Sequence, residues 1–168
     1  MIYTWNYDSP LGQLTLAEED GALVGLWMRN QLYFPQDLED RRALTPTLEL
    51  TVNWLDRYFA GDRPEIRALP LNPKGSEFRR EVWDLLRRIP YGETTTYAAI
   101  AARIAKNRGI PRMSAQAVGG AVGRNSISIL IPCHRVVGSH GQLTGYAGGL
   151  DRKRWLLDWE KSNGAQYL

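Results

Sequence analysis

The sequence predicts an α+β fold in two parts: an antiparallel sheet with one helix, then a helix-turn-helix domain. Three observations carry that expectation. Short aromatic and β-branched segments fill the first 28 residues, two short helical patterns joined by a loop lie between residues 94 and 124, and the charge changes sign along the chain. Residues 1–75 hold 7 Lys and Arg against 11 Asp and Glu, a net of −4, whereas residues 76–168 hold 14 against 7, a net of +7.

The segments 2–7 (IYTWNY), 12–17 (GQLTLA) and 22–28 (ALVGLWM) are separated by DSPLG and EEDG and read as an antiparallel meander. Next, TPTLELTVNWLDRYFAG places Leu48, Val52, Leu55 and Phe59 at helical spacing, with Pro46 near its start and Gly61 past its end, which predicts an amphipathic helix. DRPEIRALPLNPKG carries three prolines and a glycine where the charge balance changes. The boundary between a first domain, 1–72, and a second, 76–168, is expected there.

In the second part Ser76 can cap a helix whose stripe is Phe78, Val82, Leu85, Leu86 and Ile89, ended by Pro90 and Gly92. Residues 94–96 then open a short helix with Tyr97, Ile100, Ala101 and Ile104 on one face, and KNRGIPRM loops to another that Ser114 can cap. Two short helices so joined suggest helix-turn-helix. In the second of them Ala115, Val118 and Val122 make the core side, leaving Gln116, Gly120 and Arg124 opposite at i, i+4 and i+8. Glycines inside a helix, here Gly119 and Gly120, cost roughly 1 kcal/mol each relative to alanine. Two needs for their small size stay open: close approach to a DNA backbone, or tight packing against a neighbouring helix. SISILI reads as a strand, VVGSHGQLTGYAGG as a hairpin or wing-like loop, and LDRKRWLLDWEKS as a closing helix.

A hydrophobic fraction of 43% supplies a core, and no window approaches the ~18 apolar residues of a membrane span. The first residues, MIYTWNYDSP, lack a basic and apolar leader, so a cytoplasmic protein is expected. The single cysteine cannot form an internal disulfide and fits a reducing compartment. The basic half suggests either a polyanion partner or a solvated basic surface. Arginines outnumber lysines 17 to 4, which favours phosphate recognition by a planar fork.

That cysteine, Cys133, stands in ILIPCHRVVG. As a metal ligand it would need three or four partners, and the chain offers only His134 and His140 besides carboxylates. As a core residue it would follow the usual fate of a free cysteine. As a nucleophile it needs its thiolate stabilised, and His134 and Arg135 stand beside it. A histidine that takes the thiol proton must itself be oriented, usually by a carboxylate. Glu160, four residues after Leu156 and three after Leu157, shares the apolar face of the last helix and points inward.

The string ILIPCHRVVGSHGQLTGYAGGLDRKRWLLDWE, with AVGGAVGRN before it, closely resembles the O6-alkylguanine-DNA alkyltransferases, also called methylated-DNA–protein-cysteine methyltransferases. The resemblance runs from residue 78 to 160, and the first half matches in size and strand order only. It implies a ribonuclease H-like first domain and a winged-helix-like second one. It also implies DNA repair by a suicide acceptor: an alkyl group passes from O6 of guanine, less readily from O4 of thymine, irreversibly to Cys133 in a single turnover. No cofactor or metal is implied, and the partner is double-stranded DNA with alkylated bases, met by a monomer through the minor groove, hence nucleoid association when bound.

The resemblance further implies roles. His134 would take the cysteine proton through a water and Glu160 would hold His134. Asn125 would brace the helix-turn-helix against the active-site segment, and Tyr97 would donate to N3 of the leaving guanine. Val122, Val136, Tyr146 and Ala147 would form the base pocket, and Gln116, Ala117, Gly120, Arg124 and Arg135 would meet DNA. Two features depart from the family pattern: Gln116 replaces the usual intruding arginine, and NRGIPRM lengthens the turn. The zinc of some members has no counterpart, because the first half lacks cysteine and histidine. The alternative is an alkyltransferase-like protein that only binds damage, against which Cys133 itself argues. A cysteine hydrolase is a third class, to which a basic helix-turn-helix is poorly suited.

Overall fold

Short segments rich in aromatic and branched apolar residues form the first three elements of the computed structural model, which describes residues 1–166, with side chains to residue 162. Strands β1 (Ile2–Ser9), β2 (Gly12–Glu19) and β3 (Ala22–Met28) form the expected antiparallel meander in the order β1-β2-β3. Asp20 and Gly21, both with positive φ (52° and 82°), make the tight connection from β2 to β3 that suits the twist of a hairpin. Leu14 lies opposite Met28 and Leu16 opposite Leu26, and all four are fully buried. Gly25 is bare because the Trp27 ring lies where its Cβ would stand, 2.0 Å away.

Helix α1 (Pro46–Phe59) starts at Thr45, whose side chain accepts from the Leu48 N–H. Its inward face differs from the expected stripe. Leu48, Thr51, Trp54, Leu55 and Tyr58 are buried, while Val52 and Phe59 are half-exposed. Thr51 tolerates burial because its hydroxyl donates to the Thr47 carbonyl at 2.9 Å, and Trp54 donates its indole N–H to the Glu65 carbonyl at 3.1 Å. These elements belong to the first of two compact units, Met1–Lys74 with Ser126–Ser128. The SISILI run is therefore not a strand of the second unit. Ile127 makes one parallel bridge to Leu26, and the chain then turns at Ile129, whose φ of 70° is incompatible with a strand.

The second unit comprises Gly75–Asn125 and Ile129–Leu168. Helices α2 (Glu77–Leu86), α3 (Tyr97–Arg108) and α4 (Ala115–Gly123) are capped by Ser76, Thr96 and Ser114, each accepting a backbone N–H. Helix α3 runs further than expected: Gly109, at φ 66°, ends it after Lys106 and Arg108, so the turn to α4 is shorter than KNRGIPRM suggested. On α4 the core side is Val118, Ala121 and Val122, and Ala115 is exposed. Trp83 of α2 is buried and donates to the Ala121 carbonyl at 2.8 Å.

Strands β4 (Thr95–Thr96) and β5 (Val136–Val137) pair in parallel, and the glycine-rich segment after β5 is a loop, the second of its two expected forms. Helix α5 (Leu150–Gln166) closes the unit. No helix among the described residues is long and apolar enough to cross a membrane.

Candidate active site

Cys133 opens a single 3₁₀ turn, Cys133–Arg135, between Pro132 and β5. The approach to it is strained: Ile129 is β-branched, buried and left-handed, a conformation that costs about 1–3 kcal/mol. Asn125, just past α4, donates its amide to the Ile131 carbonyl at 2.8 Å and so holds that turn. The thiol is 4% exposed and its pKa is raised by burial, against which hydrogen bonds from Asn125 and Tyr146 and the charge of Lys153 act.

His134 is fully buried, with Nε2 2.8 Å from Oε2 of Glu160. Burial would raise the Glu160 carboxyl, but the bonds and charges of His134 and Arg135 hold it well below the usual carboxylate range. A carboxylate accepts only, so Nε2 carries the proton and Nδ1 is the basic nitrogen. That Nδ1 is buried without a hydrogen-bond partner among the described residues. Burial also keeps the imidazole pKa below its ordinary value, opposed by Glu160 and assisted by Arg135 and Lys153.

Tyr97, at the start of α3, is half-buried and donates its hydroxyl to the Thr144 carbonyl at 3.0 Å. Val122 and Val136 are buried, and Tyr146 and Ala147 are half-buried. On α4, Gln116, Ala117, Gly120 and Arg124 form one exposed face. A Cβ on Gly120 would meet nothing within 4 Å and one on Gly119 would touch only the Tyr97 ring, at 3.7 Å or more, so packing within the chain does not demand glycine at either position.

One expectation about cations is corrected. Arg135, expected on DNA, is only 8% exposed and turns inward onto Glu160 at 2.8 and 3.0 Å. Arg108 folds onto α2, where its guanidinium meets Glu81 at 2.5 Å and lies over the Phe78 ring.

Sequence reasoning missed Lys153. It is fully buried, and its ammonium donates to the Thr144 and Gly145 carbonyls at 2.9 and 3.2 Å. The signal was present: Lys153, Leu156 and Glu160 lie at i, i+3 and i+7, the inward stripe of α5. Burial lowers the Lys153 pKa to about 8, against the pull of Cys133. The ammonium in turn favours the thiolate. Lys153→Met should therefore raise the thiol pKa, moving the pH midpoint of alkylation by iodoacetamide upward; an unmoved midpoint would show that Lys153 only supports the loop.

Two family models match the chain: the ribonuclease-like domain of 6-O-methylguanine DNA methyltransferase over residues 1–73, and its DNA binding domain over 77–162. The chain belongs to the 6-O-methylguanine DNA methyltransferase family. Among curated members of this methyltransferase family, the methylated-DNA–protein-cysteine methyltransferase of Mycolicibacterium paratuberculosis is 47% identical over 164 residues, covering 96% of this chain and 93% of its own. The constitutive Bacillus subtilis protein of the same name is 38% identical, covering 96% of each. The crystal structure of the Mycobacterium tuberculosis methyltransferase in complex with DNA superposes with a TM-score of 0.81 at 42% identity, covering 96% of this chain and 93% of that one.

Proposed function

We propose that this methyltransferase repairs O6-alkylguanine, and less readily O4-methylthymine, in double-stranded DNA by irreversible transfer of the alkyl group to Cys133. The observation that carries the assignment to this site is the buried His134–Glu160 pair, next in sequence to Cys133, with the basic Nδ1 of His134 lacking a hydrogen-bond partner among the described residues. The thiol proton passes through a bridging water to Nδ1, and the imidazolium so formed is stabilised by Glu160. The Cys133 sulfur attacks the methyl carbon in line with O6; the S–C bond forms as the C–O6 bond breaks, and the guanine anion, hydrogen-bonded at N3 by Tyr97, is returned to neutral guanine by the proton that His134 took from the thiol. Cys133 ends as a thioether, so the protein acts once.

A stacked base offers no room for in-line attack, so the nucleotide must leave the helix, which a weakened alkylguanine pair makes easier. The exposed face of α4 is suited to the minor groove, where readout is nearly independent of sequence. Gln116 enters the vacated stack, its amide serving the orphaned cytosine as donor and acceptor. We place the protein in the cytoplasm, as a monomer, on the nucleoid when bound. The transfer reading is tested with methylated duplex in excess: repaired product should stop at one equivalent of protein, and continued turnover would refute it.

Gly120 gives a separate test of the α4 face. Gly120→Ala should stabilise the free protein by about 1 kcal/mol, because its Cβ enters open space and alanine is the better helix former. The same methyl group should weaken duplex binding by about tenfold, equivalent to 1.4 kcal/mol. Unchanged affinity would show that α4 does not approach the DNA at this point.

A further inference from the structure

We propose that Arg135 is the positioning residue that sets the charge state of the relay, holding Glu160 as a carboxylate that orients His134 without protonating it. The inference rests on the reading of Cys133 as acceptor and His134 as its base.

The geometry of the guanidinium excludes a surface role. Nε donates to Oε1 of Glu160 at 2.8 Å, Nη2 to Oε2 at 3.0 Å, and Nη1 to the Ile89 carbonyl at 2.7 Å. The Tyr91 ring lies 5.6 Å beneath the guanidinium carbon. This is the bidentate fork that arginine alone provides. Oε2 of Glu160 is shared between Arg135 and His134, so the carboxylate is already ion-paired when it meets the imidazole.

That sharing changes what the carboxylate does to its histidine. A buried carboxylate beside an imidazole ordinarily draws a proton onto it, raising its pKa. The charged groups that act on His134 are Glu160 and Lys153 from α5 and Arg135 from its own turn. With a neutral thiol they amount to one anion and two cations, and protonating His134 would add a third cation to a buried site. Arg135 therefore cancels the part of Glu160 that would charge the histidine and leaves the part that aims it. A base already protonated could not accept the thiol proton, so the neutral imidazole is the competent form.

The sign of the effect is testable. Removing the guanidinium charge lets Glu160 raise the His134 pKa, so the acid-side loss of rate should begin at higher pH. Single-turnover methyl transfer should be measured against pH for the wild type, Arg135→Gln and Arg135→Lys, with melting temperatures from the same samples. The acid limb is expected to move up by about one pH unit or more in Arg135→Gln, the size of shift typical of one close charge. In Arg135→Lys it should stay in place while the plateau rate falls, because the charge remains and the fork is lost.

An acid limb in Arg135→Gln that coincides with the wild type, with only the plateau lowered, would overturn the proposal and leave Arg135 a support of the fold. Imidazole ¹⁵N shifts of the DNA-free wild type give a reading that needs no variant. His134 should be neutral at pH 7 with its proton on Nε2, and an imidazolium there would overturn the proposal too. His140, exposed, is the internal comparison. A wild type that transfers no methyl group at any pH would remove the underlying reading and this inference with it.

Discussion

Cys133→Ser should abolish methyl transfer, by on the order of 10⁴-fold or more, while duplex binding persists. Removing the nucleophile from residues that act as a unit forfeits nearly all of their contribution. A serine hydroxyl is also far harder to ionise than a thiol, and here it must ionise in a pocket that already disfavours the charged sulfur by burial. Binding should survive because the exposed face of α4 does not include residue 133, which is buried. Single-turnover transfer and an electrophoretic binding titration on one preparation separate the two. Residual transfer within tenfold of the wild type would place the acceptor elsewhere.

Glu160→Gln is expected to act on both rate and stability. The substitution leaves the Arg135 guanidinium buried without its anion, a change that typically costs about 3–5 kcal/mol. It also removes the negative charge that stabilises the imidazolium and puts an NH2 donor in place of one carboxylate oxygen, so transfer should slow by about 10²–10⁴-fold, the usual contribution of a positioned base. Because His134 and Glu160 act through the same thiol, removing both should slow transfer little more than removing one.

Stability should change its pH dependence as well. The folded pKa of Glu160 is depressed, so its contribution is present above the unfolded carboxyl value of about 4.3 and is lost as the pH falls towards the folded one. Urea unfolding between pH 3 and pH 7 should show a shallower acid loss in Glu160→Gln than in the wild type. Parallel curves would mean that Glu160 carries no special share of acid stability.

How far the sequence could be read depended on whether a feature was local. Caps at Ser76 and Ser114 and the β-meander follow from short-range chemistry, and the structure has them at the expected places. Glu160 was found because an acidic residue on an apolar stripe needs a partner. Lys153, on the same stripe, was hidden in the basic run DRKR, where a solvated role looks ordinary. The α1 face was misassigned because apolar spacing cannot see that Thr51, Trp54 and Tyr58 satisfy their polar atoms or bury their rings.

The inward turn of Arg135 was not legible for a different reason. In a 3₁₀ turn the direction of each side chain depends on backbone angles, and this turn follows a left-handed Ile129 that apolar patterning reads as strand. An arginine beside a reactive cysteine looks the same in sequence whether it meets a phosphate or a buried carboxylate. Only the position of Glu160 on α5 decides between them.

The central claim, that Cys133 takes the alkyl group and keeps it, is tested most directly by intact-protein mass spectrometry with peptide mapping after incubation with a duplex containing one O6-methylguanine. One added methyl group per chain, located on Cys133 and never exceeding one equivalent, is the predicted result. An unchanged mass with repaired DNA, or a methyl group on any other residue, would contradict it.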